Sequence, residues 1–237
     1  MMNIPSIQTA KVHQTTRSAA PAADATPVEK PASKPTNRDG VALSALARQL
    51  NESAVRAQSR DASLGFKELG ILAKDIIDRI AGTGFHSNRE RHDAEVPDTD
   101  DPALLERARQ ATLFERGSGK NPFAGLSPDQ LRLIMYDESG NFTINERRAA
   151  FDEEYSQDQA WKLVMIQRYM DEYNETGKGT QTLFMILAHY NDLPPIEKAQ
   201  YPTHYVANLT SGDSSALALF NSLKIRSTAP QLPSPST

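Results

Sequence analysis

The chain has 237 residues, a net charge of −4 and no cysteine, which excludes disulfides, thiolate catalysis and cysteine-bound zinc. Hydrophobic residues make up 38% and mean hydropathy is −0.54, low values of the kind expected when polar tails dilute an ordinary core. The acidic balance gives no electrostatic reason to expect a nucleic-acid partner, no apolar run approaches a membrane span, and Met1 to Gln14 lacks the continuous apolar core of a Sec signal peptide.

Residues 1–40 carry Pro5, Pro21, Pro27, Pro31 and Pro35 among many Ser, Thr and Ala. Prolines at that spacing prevent a long helix, and few large apolar residues are available to bury, so a disordered arm is expected. From Val41 the pattern changes. Leu43, Leu46, Leu50, Ala54 and Ala57 fall on one helical face, with Asp39 as the expected cap. Leu69, Leu72, Ile76 and Ile80 line a second amphipathic helix that Gly82 and Gly84 close. Residues 41–84 therefore read as a helical hairpin. Residues 85–100, with Asp93, Glu95, Asp98 and Asp100, read as a mobile acidic linker that separates the hairpin from a larger unit.

That larger helical domain spans 101–225. Asp101 followed by Pro102 is an N-cap with proline at the first helical position. Gly117-Ser118-Gly119 is a flexible break. Ser127 with Gln130, and Thr143 with Glu146, are capping boxes that open two further helices. The second of these is expected to run to about Tyr173. Its stretch Trp161, Leu163, Val164, Met165, Ile166, Tyr169 and Met170 is apolar nearly all round, which predicts a central helix with Trp161 in the core. Gly177 and Gly179 end it. Leu183–Tyr190 is a further apolar helix closed by Pro194 and Pro195, and Asp213 is the expected cap of a last helix bearing Leu217, Phe220 and Leu223. Residues 226–237, with three prolines and several serines, read as a disordered tail. No stretch alternates with the period of a strand. The expected fold is all-α, an irregular helical bundle with an N-terminal helical hairpin and disordered N- and C-terminal tails.

The segment Tyr136–Arg148 comes nearest to chemistry. Asp137, Ser139, Asn141, Thr143 and Asn145 place oxygen-bearing side chains at alternating positions between two helices. Aligned with the twelve-residue EF-hand loop, Asp137, Ser139 and Asn141 take the first, third and fifth positions, Thr143 the seventh, and Ile144 the apolar eighth. A hard cation such as Ca²⁺ wants such oxygens, so Asp137, Ser139, Asn141 and Thr143 are the candidate metal ligands. The resemblance to an EF-hand is partial. Phe142 stands where the sharp turn wants Gly, and Arg148 where a bidentate Glu belongs. A turn followed by the Thr143–Glu146 capping box explains the same residues without a metal.

Other motifs are weaker. Gly117-Ser118-Gly119-Lys120 lacks the upstream glycine, the following Ser or Thr and the preceding strand of a phosphate loop, and a linker between helices accounts for it. His86 and His92 fall in the polar linker. His189 has Asp192 three residues on, a spacing open to acid–base work or to an ordinary core-edge histidine. No HExxH or G-x-S-x-G occurs.

The N-terminal arm resembles type III secretion signals of Gram-negative bacteria, with Ile4 and no acidic residue before Asp24 in a Ser/Thr/Pro-rich stretch. Three segments, 41–50, 121–127 and 136–148, together resemble a group of uncharacterised proteobacterial helical proteins, and that resemblance carries no functional residues. The leading expectation is a non-enzymatic bacterial protein–protein interaction protein, cytoplasmic or exported without a Sec signal. Another protein is the expected partner, with neither nucleic acid nor a membrane span. A degenerate calcium-responsive helix–loop–helix module and an enzyme with an unlocalised site are the alternatives; no other cofactor is expected.

Overall fold

The computed structural model describes residues 38–228, with side chains placed for 45–221. The expected arm and tail lie, but for their inner residues, outside the described residues. Eleven helices and no strand are found among the described residues: α1 (Arg38–Ser63), α2 (Phe66–Ala81), α3 (Gly84–Ser87), α4 (Arg89–Asp93), α5 (Pro102–Glu115), α6 (Pro128–Met135), α7 (Ile144–Thr176), α8 (Thr180–Asp192), α9 (Pro195–Lys198), α10 (Tyr205–Leu209) and α11 (Ser214–Thr228). The fold is all-α, as the periodicity predicts. No described helix is long and apolar enough to cross a membrane.

Local chemistry sets the helix starts. Asp101 accepts a hydrogen bond from the Ala103 N–H at 3.0 Å, with Pro102 at the first helical position. Ser127 and Gln130 form one reciprocal capping box and Thr143 and Glu146 another. Asp213 accepts from the N–H groups of Ser215 and Ala216 at the start of α11. Asp39, by contrast, lies inside α1, which begins at Arg38. Gly177 ends α7 in the left-handed region at φ 72°, a conformation glycine adopts without steric cost.

The main core joins α1, α2, α5, α6, α7 and α9. Leu50 from α1 and Leu69, Ala73, Ile76 and Ile80 from α2 are buried in one cluster with Ala111, Leu131, Ile134, Met135, Phe142, Ala149, Ala150 and Ile196. The hairpin is therefore not a detachable body. Its apolar stripes need cover, and α5, α6, α7 and α9 supply it. At Gly70 the backbones of α2 and α9 come so close that a Cβ would sit 2.8 Å from the Ala199 carbonyl oxygen.

The acidic linker is likewise corrected. Residues 85–100 contain most of α3 and all of α4, and Phe85 and His92 are buried with their rings 4.8 Å apart. Arg116 pairs with Asp93 at 2.8 Å, and Glu95 accepts from the Ile144 N–H at the start of α7. The acids of this segment thus serve as pairing and capping groups, an outcome that charge density alone does not reveal.

Candidate functional site

The Asp137–Asn145 loop lies under α1. Asp137 is buried, and its Oδ2 accepts from Arg56 Nη2 at 2.6 Å and from the Ser53 hydroxyl. Its Oδ1 accepts from the Ser139 N–H at 2.7 Å. The Asn141 carbonyl accepts from Gln49 Nε2 at 3.2 Å, and Asn141 Nδ2 donates to Glu52 at 3.3 Å. Thr143 turns away to cap α7: its Oγ1 accepts from the Glu146 N–H at 3.2 Å, and Glu146 Oε2 accepts from the Thr143 N–H at 2.8 Å. The structure therefore joins Asp137 to Ser139 and, through the Asn141 N–H donating to the Ser139 hydroxyl at 3.3 Å, Asn141 to the same turn; the Asn141 side chain is tied to α1 and Thr143 to Glu146.

This arrangement does not fit a calcium ion as it stands. The carboxylate of Asp137 is already neutralised by Arg56, and the chain turns at Gly140, with φ 88°, instead of at the EF-hand glycine position. Phe142, which occupies that position, is core. Arg148 points elsewhere, donating to Asp152 and to the Ile80 carbonyl while lying over the rings of Phe85 and Phe151.

Two buried ionic groups hold the surrounding helices. Arg107 Nε donates to Glu146 Oε1 at 2.7 Å, with side-chain exposures of 10% and 0%, and the guanidinium lies over Phe123 and Phe142. Arg132 pairs with Glu154 at 2.6 Å and lies 3.8 Å from Glu197, which accepts from the Tyr136 hydroxyl at 2.7 Å. Burial raises the pKa of Glu154 and of Glu197 against the opposing pull of Arg132. Burial also pushes the Glu115 carboxyl up to about 7, with a further push from Asp152 that Arg148 opposes. Glu154 and Glu197 accept from the protein donors Arg132 and Tyr136, whereas Glu115 lies 4.0 Å from Arg148 and its buried Oε1 has no hydrogen-bond partner among the described residues.

The exposed chemistry lies on the second half of α7. The expectation of a central helix holds for its first turns, where Ala149 and Ala150 are fully buried. Beyond Trp161 only Met165 is buried. Leu163 is 67% exposed, Val164 61%, Ile166 60%, Met170 50% and Tyr173 50%. The cause is reach: α7 continues past the main core to where α8 packs on one of its sides, and α8 in turn carries α11. Trp161 is half-buried, and its indole stacks on His189 at 4.1 Å. Burial, and then Arg132, hold the His189 pKa below the ordinary histidine value.

A groove of about 910 Å³ runs beside this stretch. Trp161, Tyr169 and Tyr173 of α7 and His189 of α8 line it, together with a packed trio formed by Tyr190, Tyr201 and Tyr205, whose rings lie 4.7–5.1 Å apart. Tyr169 occupies the space a Cβ at Gly179 would need, which explains glycine there. The tyrosine trio is absent from the sequence-based site. Its available signal was the recurrence of Tyr at 190, 201 and 205 on either side of Pro194 and Pro195.

No protein-family model matches the chain, and neither a curated protein nor a solved structure matches it.

Proposed function

We propose that this chain is a non-enzymatic interaction protein that engages another protein through the exposed face of α7 and the adjoining aromatic groove. The observation that carries the reading is the run of five large apolar side chains, Leu163 to Tyr173, each at least half exposed. Contiguous apolar patches larger than a few hundred Å² are uncommon on monomers, and the largest patch on a protein is often functional. Aromatic side chains, which line the adjoining groove as Trp161, Tyr169, Tyr173, Tyr190, Tyr201 and Tyr205, are among the residues enriched at protein interfaces.

Catalysis finds less support. His189 is stacked against Trp161, and the buried carboxylates of Glu154, Glu197 and Glu146 are engaged by Arg132, Tyr136 and Arg107. A photo-crosslinking residue placed at Ile166, on the exposed face, is expected to capture a protein in cells of the source organism. The same group at Asp75, exposed on α2, is the control. Equal labelling from the two positions, or none from Ile166, would remove the reading.

A further inference from the structure

We infer that the occupant of the α7 face is a second copy of this chain, paired antiparallel through α7 about a two-fold axis near Arg168. The inference rests on the reading of α7 as an interaction face and names its partner. Leu163, Ile166, Met170 and Tyr173 recur at steps of three, four and three. That is the a/d seam of a coiled coil, narrower than the stripe of an ordinary core-facing helix. Met165, at a c position, is buried against the rest of the fold, while Ile166, Met170 and Tyr173 of the seam line the adjoining groove and Leu163 is exposed outside it, so all four seam side chains stay open to an occupant.

The seam is self-complementary. About an axis at Arg168, Ile166 of one copy meets Met170 of the other, and Leu163 meets Tyr173, each contact occurring twice as a two-fold interface requires. Every layer then pairs a larger side chain with a smaller or more adaptable one. Arg168 itself sits at an f position, away from the seam. Of the flanking positions Ala160, Lys162, Gln167, Tyr169, Asn174 and Thr176, only Lys162 is charged, so no like charges oppose across the interface.

The seam ends where the chain stops supporting it. Upstream, Ser156 and Gln159 occupy the next a and d positions, and downstream Gly177 ends the helix. The four seam side chains at these exposures offer on the order of 500 Å² per copy, against about 800 Å² per partner in a standard interface. The dimer is therefore expected to be reversible, with a dissociation constant in the micromolar range, rather than obligate.

Sedimentation equilibrium of the full chain from about 1 to about 100 µM tests this. The weight-average mass is expected to rise from 26.1 kDa toward twice that value. Ile166→Glu and Met170→Glu each place charge in the seam and are expected to weaken association at least tenfold. Val164→Glu, equally exposed but at a b position, should leave it within about twofold. The natural chain has no cysteine, so an equimolar mixture of Ile166→Cys and Met170→Cys proteins should form a disulfide-linked dimer on mild oxidation, and neither variant alone should do so comparably. Helical circular dichroism confirms that each variant is folded. A monomer at every concentration overturns the inference, as does association unaffected by both seam charges or equal cross-linking by the single variants. The broader reading fails separately: a monomeric chain whose Ile166 adduct has a mass other than two copies keeps the interaction function and loses self-association.

Discussion

Arg56 Nη2 donates to Asp137 Oδ2 at 2.6 Å, fastening α1 to the α6–α7 loop across 81 positions of sequence. The Asp137 side chain is 1% exposed and Arg56 39% exposed. Removing the carboxylate strands Arg56, Ser53 and the Ser139 N–H at once. Asp137→Ala is expected to cost about 2–3 kcal/mol, below the 3–5 of a fully buried pair because Arg56 remains partly hydrated. Burial alone would raise the Asp137 pKa, but hydrogen bonds from Ser139, Ser53 and Arg56 outweigh it and hold the group below its ordinary value of 3.8. Its contribution is therefore complete above that value and is lost as pH falls through the folded-state pKa. Urea melts of the two proteins should converge in strong acid and separate above pH 4.

Calcium is expected to leave the melting temperature unchanged. A ligand present at about 100 times its dissociation constant would add roughly 2.7 kcal/mol, a shift readily seen by calorimetry. The oxygens of Asp137 and Thr143 are already engaged by Arg56, Ser53, Ser139 and Glu146. A calcium-dependent rise in melting temperature that Asp137→Asn abolishes would restore the metal reading.

Glu115 carries the opposite pH signature. Its ordinary value is 4.5 and its folded-state value about 7, raised first by burial. Between those values the unfolded chain gives up its proton while the folded one keeps it, so folding weakens as pH rises, by at most about 1.4 kcal/mol per unit. Glu115→Gln should flatten that slope and gain about 1–2 kcal/mol at pH 8, with little effect at pH 4. Thermal melts across this range check it, and an unchanged slope would place the titration elsewhere.

Arg107 and Glu146 form the most secluded pair of charges. Arg107→Met, which keeps the packing against Phe123 and Phe142 but removes the charge, leaves Glu146 buried without its partner. A loss of about 3–5 kcal/mol is expected. The double variant Arg107→Met/Glu146→Gln should recover part of that loss, a coupling that a double-mutant cycle measures.

Trp161→Ala is expected to cost about 1–2 kcal/mol, less than the 3–5 of a fully buried aromatic, because the indole covers His189 at the edge of a groove. A loss as large as that of a core aromatic would mean the groove is closed in solution. As the single tryptophan of the chain, its emission also reports directly on groove occupancy.

The helical class, both capping boxes, the Asp101 cap and the Gly177 stop were legible because each depends on residues within a few positions of one another. The packing of the hairpin was not, since Leu69 and Ile76 show the same stripe whether they meet Leu131 and Ile134 or another molecule. Glu95 and Asp93 read as linker acids because their partners, the Ile144 N–H and Arg116, lie far along the chain. Trp161 and Ile166 were misplaced for a related reason. An apolar circumference reports a demand for cover, and it is silent on whether the same chain meets that demand.

One unbroken helix of 33 residues, about 50 Å long, passes from the interior around Ala149 to the open surface around Leu163. Its backbone hydrogen bonds repeat unchanged along that length, yet their protection against exchange with solvent depends on what opening them would uncover. Amide exchange is therefore expected to be slow through residues 145–151 and much faster by 163–174. The boundary between two cooperative units then falls inside a helix rather than at a loop. The distal turns can loosen while the proximal turns stay shut, which leaves the exposed end free to adjust its pitch to whatever surface it meets.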